Sequence, residues 1–185
     1  MRIGVLSDTH GSLKGWELAW KIFSDADAII HCGDLFNHGP GNPLPDGYSP
    51  AKLLETFNGI NKLFLVVRGN CDSEVDQKFL NIPMVSPFLV FQIGDMPRIV
   101  ATHGHHLDDT RWLDICRRKW KTDILLSGHT HRWKIDKIEG MFWLNPGSPS
   151  LPAAEPSAAV IDTDSKELQV FDLDTLRVLK TEKFL

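Results

Sequence analysis

The sequence predicts an α/β fold, a four-layer αββα sandwich of two mixed β-sheets flanked by helices, and three observations predict it. Five short polar motifs each follow an apolar, strand-like run: Asp8-Thr9-His10, Gly33-Asp34, Gly69-Asn70-Cys71-Asp72, His103-Gly104-His105 and Gly128-His129-Thr130-His131. Helix-like stretches alternate with the first strands, while the second half breaks into short β-branched or aromatic runs between Gly, Pro and Asp turns. A chain of 185 residues, 42% hydrophobic, is sized for one compact domain with a real core, so residues 1–185 read as a single domain.

The elements follow in order. Ile3–Ser7 is the first strand, and Ser12–Ser24 a helix with Ser12 as N-cap and Leu13, Trp16, Leu18, Ala19, Trp20 and Phe23 on its apolar face. Ala28–Cys32 is the second strand. Ala51–Phe57 is a helix led by Ser49 as cap and Pro50 in the first turn. Leu63–Arg68, Arg98–Thr102 and Ile124–Ser127 are the strands that feed the last three motifs, with a third helix at Asp109–Lys119. These βαβ connections favour a parallel sheet. Met84–Ile93, Trp133–Ile138, Met141–Leu144, Ala158–Asp162, Leu168–Leu173 and Val178–Thr181 then read as strands of a second, more antiparallel sheet. Between them, Phe36–Pro50 is a long Gly/Pro-rich loop, which shapes the mouth of a site or makes an oligomer contact unless it is simply a mobile surface loop.

Composition excludes several classes. A net charge of -4 and no long Lys/Arg block argue against extended nucleic-acid binding. Three cysteines without CxxC spacing suit a reducing compartment. The chain opens directly on a strand, without a basic and then apolar leader, and holds no apolar run of membrane length; a soluble, cytoplasmic protein is expected.

The chemistry lies in the motifs. In open α/β sheets ligands bind outside the carboxyl ends of the strands, so five strand-end motifs can converge on one site. Asp8 and His10 are two apart and point the same way if strand geometry persists, and His129 and His131 repeat the spacing. With Asp34, Asn70 and His103 they make seven candidate metal ligands, more than one tetrahedral ion needs and suited to two divalent cations sharing a carboxylate. Two such ions would clamp a phosphate ester and give an acidic protein a locally positive site.

In this order, D-x-H, G-D, G-N-x-[DE], H-G-H and G-H-x-H, the motifs resemble those of the calcineurin-like metallophosphoesterase superfamily. Leu35–Pro50, Gly69–Asp76 and Asn145-Pro146-Gly147-Ser148 resemble its YfcE-type bacterial phosphodiesterases. The resemblance covers nearly the whole chain. It implies a metallophosphoesterase fold, one metal on Asp8, His10, Asp34 and His131, a second on Asp34, Asn70, His103 and His129, and Asp34 as the bridge. It also implies hydrolysis of a small phosphodiester by a metal-bridging hydroxide attacking phosphorus. Mn²⁺ leads as cofactor, although the donors would also accept Zn²⁺, Fe²⁺, Co²⁺ or Ni²⁺. Two alternatives stand beside this: a phosphatase or nucleotide-directed hydrolase on a small substrate, and a non-catalytic metal-binding scaffold such as the retromer subunit that resembles the superfamily.

One position departs from many superfamily members: Cys71 stands where they carry a histidine after the asparagine. A thiol with an ordinary pKa near 8.5 is a poor general acid, so esters with good leaving groups are favoured; filling space, or binding a soft metal as thiolate, are the other readings. His105 is a candidate partner of a ligand or of the substrate phosphate, or a structural histidine. His31 reads as a core residue, His38 as a group able to reach over the site, and Asp72 as a support for the Asn70 loop. Arg68 and Lys52 are conceivable phosphate partners or ordinary surface charges, and the six tryptophans, scattered along the chain, are packing residues.

Overall fold

The computed structural model describes residues 1–107 and 110–184. Two sheets stack at its centre. β1 (Arg2–Leu6), β2 (Ala28–His31), β3 (Leu63–Val67) and β4 (Met84–Val85) run parallel, and β10 (Ser157–Asp162), β11 (Glu167–Asp172) and β12 (Val178–Lys183) extend them in the order β12-β11-β10-β1-β2-β3-β4. The other sheet has the order β5-β6-β7-β9-β8, from β5 (Leu89–Phe91), β6 (Ile99–Ala101), β7 (Ile124–Leu126), β8 (Lys134–Ile138) and β9 (Met141–Asn145).

Period-2 alternation explains why the strands stack in this way. From the first sheet Ile3, Val5, Ala28, Ile30 and Val67 face inward onto Ile99, Ala101, Ile124, Leu126 and Leu144 of the second. The alternate residues Leu6, Ile29, Phe64 and Val66 face outward and are covered by Trp16, Ala19 and Phe23 of α1 (Leu13–Phe23) and by Leu53 and Phe57 of α2 (Pro50–Asn58). Val100 and Leu125 face the other way, against Cys116, Trp112 and Trp120. Strands buried on both faces read as the continuous apolar runs seen in the sequence.

The register matters most for the site. Leu6 pairs with His31 and His31 with Val66, while Ala101 pairs with Leu126 and Leu126 with Leu144. Parallel strands ending level with one another put the loops that follow them side by side.

Several expectations are corrected. β10, β11 and β12 return to the first sheet, beside β1, instead of building the second. The second sheet is parallel through β6, β7 and β9, with antiparallel strands only at its edges. The run Met84–Ile93 splits at Ser86-Pro87-Phe88 into strands of different sheets, and a proline there has no N–H to continue a ladder. Ser49 makes no side-chain cap bond, whereas Ser12 accepts from the Gly15 N–H at 2.9 Å as expected. The third helix comprises α4 (Thr110–Asp114) and a π-helical stretch, Ile115–Lys119; Asp109 lies outside the described residues. A further helix, α3 (Glu74–Phe79), was not anticipated, although Ser73 and Asp76 close a capping box that the S-x-x-D spelling signals.

Candidate metal centre

Asp8, His10, Asp34 and His103 form a floor hidden from solvent, with exposures of 0, 0, 2 and 0%. Each imidazole is fixed from behind. Nδ1 of His10 lies 2.7 Å from the Asn37 carbonyl, Nδ1 of His103 2.8 Å from that of Cys32, and Nδ1 of His131 2.7 Å from that of Leu151. A carbonyl only accepts, so each Nδ1 carries the proton, and in the neutral ring each Nε2 offers a lone pair. Those lone pairs converge: Nε2 of His10 is 3.1 Å from Nε2 of His131, and Nε2 of His103 is 2.9 Å from Oδ1 of Asn70.

The carboxylates follow the same plan. Asp8 Oδ2 accepts from the His129 N–H at 2.9 Å and Asp34 Oδ1 from the Cys71 N–H at 2.8 Å. Each second oxygen turns to the imidazoles: Asp8 Oδ1 is 3.3 Å from His131 Nε2 and 3.6 Å from His10 Nε2, and Asp34 Oδ2 is 3.4 Å from His103 Nε2 and 3.8 Å from His10 Nε2. Asp8 Oδ1 is buried and accepts no hydrogen bond. A buried anionic oxygen without a donor, facing lone pairs of two neutral rings, is unfavourable unless a cation sits among them. Oxygen and nitrogen donors in this arrangement fit hard to borderline divalent metals. In the metal-free protein protons take the cations' part. Burial pulls the His103 ring down, but the Asp34 hydrogen bond and the charges of Asp8 and Asp34 outweigh it and raise its pKa to about 9; His10 is raised in the same way. Asp8 is held well below the usual carboxylate range by His10 and His131 despite its burial.

The backbone that aims these groups is strained. Asp8, His10, Asp34, His129 and His131 have φ of 56, 45, 59, 68 and 55°, the left-handed region that costs a non-glycine residue about 1–3 kcal/mol. The Asp8/His10 and His129/His131 pairs therefore do not converge by continuing as strands, which end at Leu6 and Leu126; tight turns aim them. Glycines make room: a Cβ on Gly33, at φ 101°, would lie 2.7 Å from the Gly69 nitrogen, and one on Gly69 would strike Asp34. Asp72 ties the same turns together, accepting from the N–H groups of Asp34 (2.9 Å), Leu35 (2.7 Å) and Gly69 (2.7 Å), although burial lifts its pKa to about 6.

A cavity of about 350 Å³ opens on this floor, lined by Asp34, Asn42, Asn70, Cys71, His129, Thr130, His131, Leu151 and Ala153. Burial, and then the charge of Asp34, push the Cys71 thiol up to about 12.

The calcineurin-like phosphoesterase superfamily domain model matches residues 1–166, nine-tenths of the chain and all five motifs. The chain belongs to this superfamily. Within it, phosphodiesterase YfcE of Escherichia coli K12 is 35% identical over 181 residues, 97% of this chain and 96% of that one, and a phosphodiesterase of Methanocaldococcus jannaschii is 26% identical over 94% and 100%. The solved structure of the E. coli phosphoesterase superposes with a TM-score of 0.86 at 32% identity over the full length of both chains. Vps29 from Cryptosporidium parvum, 22% identical with a TM-score of 0.68 over 98% of this chain and 94% of that one, shares the fold.

In this YfcE-type phosphoesterase six of the seven expected ligands present side-chain atoms to one another as described. The seventh, His129, stands on the cavity wall beside the His103 ring. Its ring centroid is 5.2 Å from that of His103, and its backbone N–H, rather than its ring, meets Asp8. His105 stacks on His106 at 3.8 Å, its Nδ1 is buried without a partner, burial lowers its pKa to about 4, and it is not on the cavity wall. His31 is a core residue as expected: its ring meets Thr9 Oγ1 at 3.0 Å and accepts from the Gly33 N–H, and burial holds its pKa near 3. Arg68 is engaged by Glu74 and the Asp72 carbonyl, and His38 packs edge-on against Tyr48.

The 36–50 loop borders the site, as one of the readings from the sequence had it, whereas its individual contacts and the serine clips were not foreseen. The 36–50 loop supplies the Asn37 carbonyl and the Asn42 wall, and bonds from Leu13 N–H to Gly47 O (3.0 Å) and from Ser49 N–H to Gly11 O (2.7 Å) pin it down. Ser148 and Ser150 hydroxyls donate to the Asp8 carbonyl at 2.8 and 3.0 Å, and Asn145 Nδ2 donates to Gly128 O at 2.8 Å, clipping the loops of both sheets together. The only sequence signal for the serine and asparagine clips was the turn spelling Asn145-Pro146-Gly147-Ser148.

Proposed function

We propose that this phosphoesterase hydrolyses small phosphodiesters at a centre of two divalent cations, Mn²⁺ first among them, one held by Asp8, His10, Asp34 and His131 and the other by Asp34, Asn70 and His103, with His129 at the mouth. The unpartnered, fully buried Asp8 Oδ1 facing two imidazole lone pairs carries the reading. Cations bound there lower the pKa of water to make a nucleophile and offset phosphate charge.

The chain's own groups do the rest. Asp8 and Asp34 each give one oxygen to a backbone N–H and keep the other for a cation, so neither can turn away. The cavity is at the low end of the range for small-molecule pockets, roughly 300–1,000 Å³, which supports a compact substrate. Cys71, protonated at neutral pH with its pKa near 12, is a poor proton donor to the leaving oxygen. Ester cleavage should therefore slow as the leaving group's pKa rises. His105, displaced from the cavity wall, acts on the reaction only through His103 and His129. Among the described residues no helix is long and apolar enough to cross a membrane. All three cysteines are unpaired, which supports a reducing compartment such as the cytoplasm.

The deciding experiment is hydrolysis of an aryl phosphodiester by metal-stripped protein, with and without Mn²⁺, for the wild type and Asp34→Ala. Hydrolysis that needs metal and disappears in the variant supports the reading. A folded wild type inactive with every divalent ion overturns it in favour of a scaffold.

A further inference from the structure

We infer that the groove between α1 and the segment after α2 binds a small organic ammonium ion, an apolar body carrying a protonated amine. The groove has a volume of about 430 Å³, and none of its lining residues borders the cavity over the metal centre. That volume lies within the roughly 300–1,000 Å³ of small-molecule sites.

One helical stripe builds most of the wall. Leu13, Trp16, Glu17 and Trp20 stand at i, i+3, i+4 and i+7 of α1 and so share a face, and Ile60, in the turn between α2 and β3, lines the groove with them. The core holds this wall from behind. Trp16 is only 3% exposed, its ring meeting Phe57 edge-on at 5.1 Å and Trp20 at 5.4 Å, so the apolar surface is set before any ligand arrives.

Charge decides the class of ligand, because the groove is lined by two charged side chains and one of them is committed. Lys62 Nζ donates to the carbonyls of Ser24 and Ala26 at 3.0 and 2.7 Å, where its charge meets the negative end of the α1 dipole, and it lies 5.7 Å from the centre of the Trp20 ring. Glu17 is exposed and makes no hydrogen bond or ion pair among the described residues. The lysines nearest to it on the helix do not neutralise it: Lys14 is paired with Asp46, and Lys21, one turn on, makes no ion pair with it. An apolar groove whose uncommitted charge is a carboxylate complements a cationic headgroup on an apolar body, and repels an anionic one.

The test follows the indole N–H resonances of full-length, Zn²⁺-loaded protein during titration with phenethylammonium, 2-phenylethanol and 3-phenylpropanoate, which share one aromatic body and differ in charge. Trp16→Phe and Trp20→Phe assign the two signals. Phenethylammonium should shift both saturably and bind about fivefold or more tightly than the alcohol, with the carboxylate weaker still. Glu17→Gln should bring the ammonium down to the affinity of the alcohol and leave the rest of the spectrum unchanged. No saturable shift of either signal with any probe overturns the site. Equal affinity for the three probes, a tighter carboxylate, or a preference for the ammonium that survives Glu17→Gln overturns the class of ligand.

Discussion

At the floor of the centre Asp8, His10, Asp34 and His103 are shielded from solvent and each is tied by a second bond to a backbone group, whereas at the rim Asn70 and His129 are exposed, Cys71 and His131 half-buried, and only His131 has such a tie from its side chain. The floor draws its partners from loops of both sheets: His129 N–H on Asp8, Cys71 N–H on Asp34, the Cys32 carbonyl under His103. Ties to the backbone are thus concentrated on the buried charges of the floor, and the exposed rim side chains carry fewer.

The comparison predicts graded losses. Asp8→Asn keeps an oxygen for the His129 N–H but removes the charge, and should lower kcat/KM on the order of 10³-fold in a protein that still folds; a loss under tenfold would show that the floor is not the catalytic element. Asp72→Asn touches no candidate cation, yet turns an amide N–H towards backbone donors. It should weaken Mn²⁺ binding about 10–100-fold and cost about 1–3 kcal/mol in urea unfolding. His129→Ala leaves its backbone bond intact and should cost less than about tenfold in Mn²⁺ affinity by calorimetry; a loss as large as that of Asp8→Asn would move His129 from rim to floor.

The smallest effect is of pH. His103 titrates near 9 in the folded metal-free protein, against 6.5 as its ordinary value, so its contribution to stability is fully present below pH 6.5 and lost as pH rises through 9. Denaturation of stripped protein at pH 6 and pH 9 should show that decline, and Mn²⁺ binding, which must displace the proton, should tighten over the same interval. Binding that is flat with pH would mean that His103 is not displaced from its proton.

Much of this was legible beforehand, because ligand chemistry is local. Asp8, His10, Asp34, Asn70, His103 and His131 could be read from residue type and from their places after apolar runs. The backbone conformation that aims them could not, since nothing in D-T-H or H-T-H spells a left-handed residue. Sheet membership was equally hidden. Whether Ala158–Asp162 pairs with β1 or with a second-half strand depends on a partner more than 150 residues away, and alternation alone is the same for either. Ser148 and Ser150 were invisible as clips because a hydroxyl's partner is set by tertiary contact, here with Asp8 and Thr9 carbonyls.

That clip ties the shape of the first motif to residues far along the chain. Asp8, near the start of the chain, is held by hydroxyls some 140 residues later, and β1 is flanked on one side by β10, which follows them. A nascent chain from which residues 148–162 have not yet emerged offers carboxylates and imidazoles that nothing holds in the strained turns. The geometry of the floor is therefore a long-range property of the chain, assembled only when residues 148–162 dock on the loop after β1.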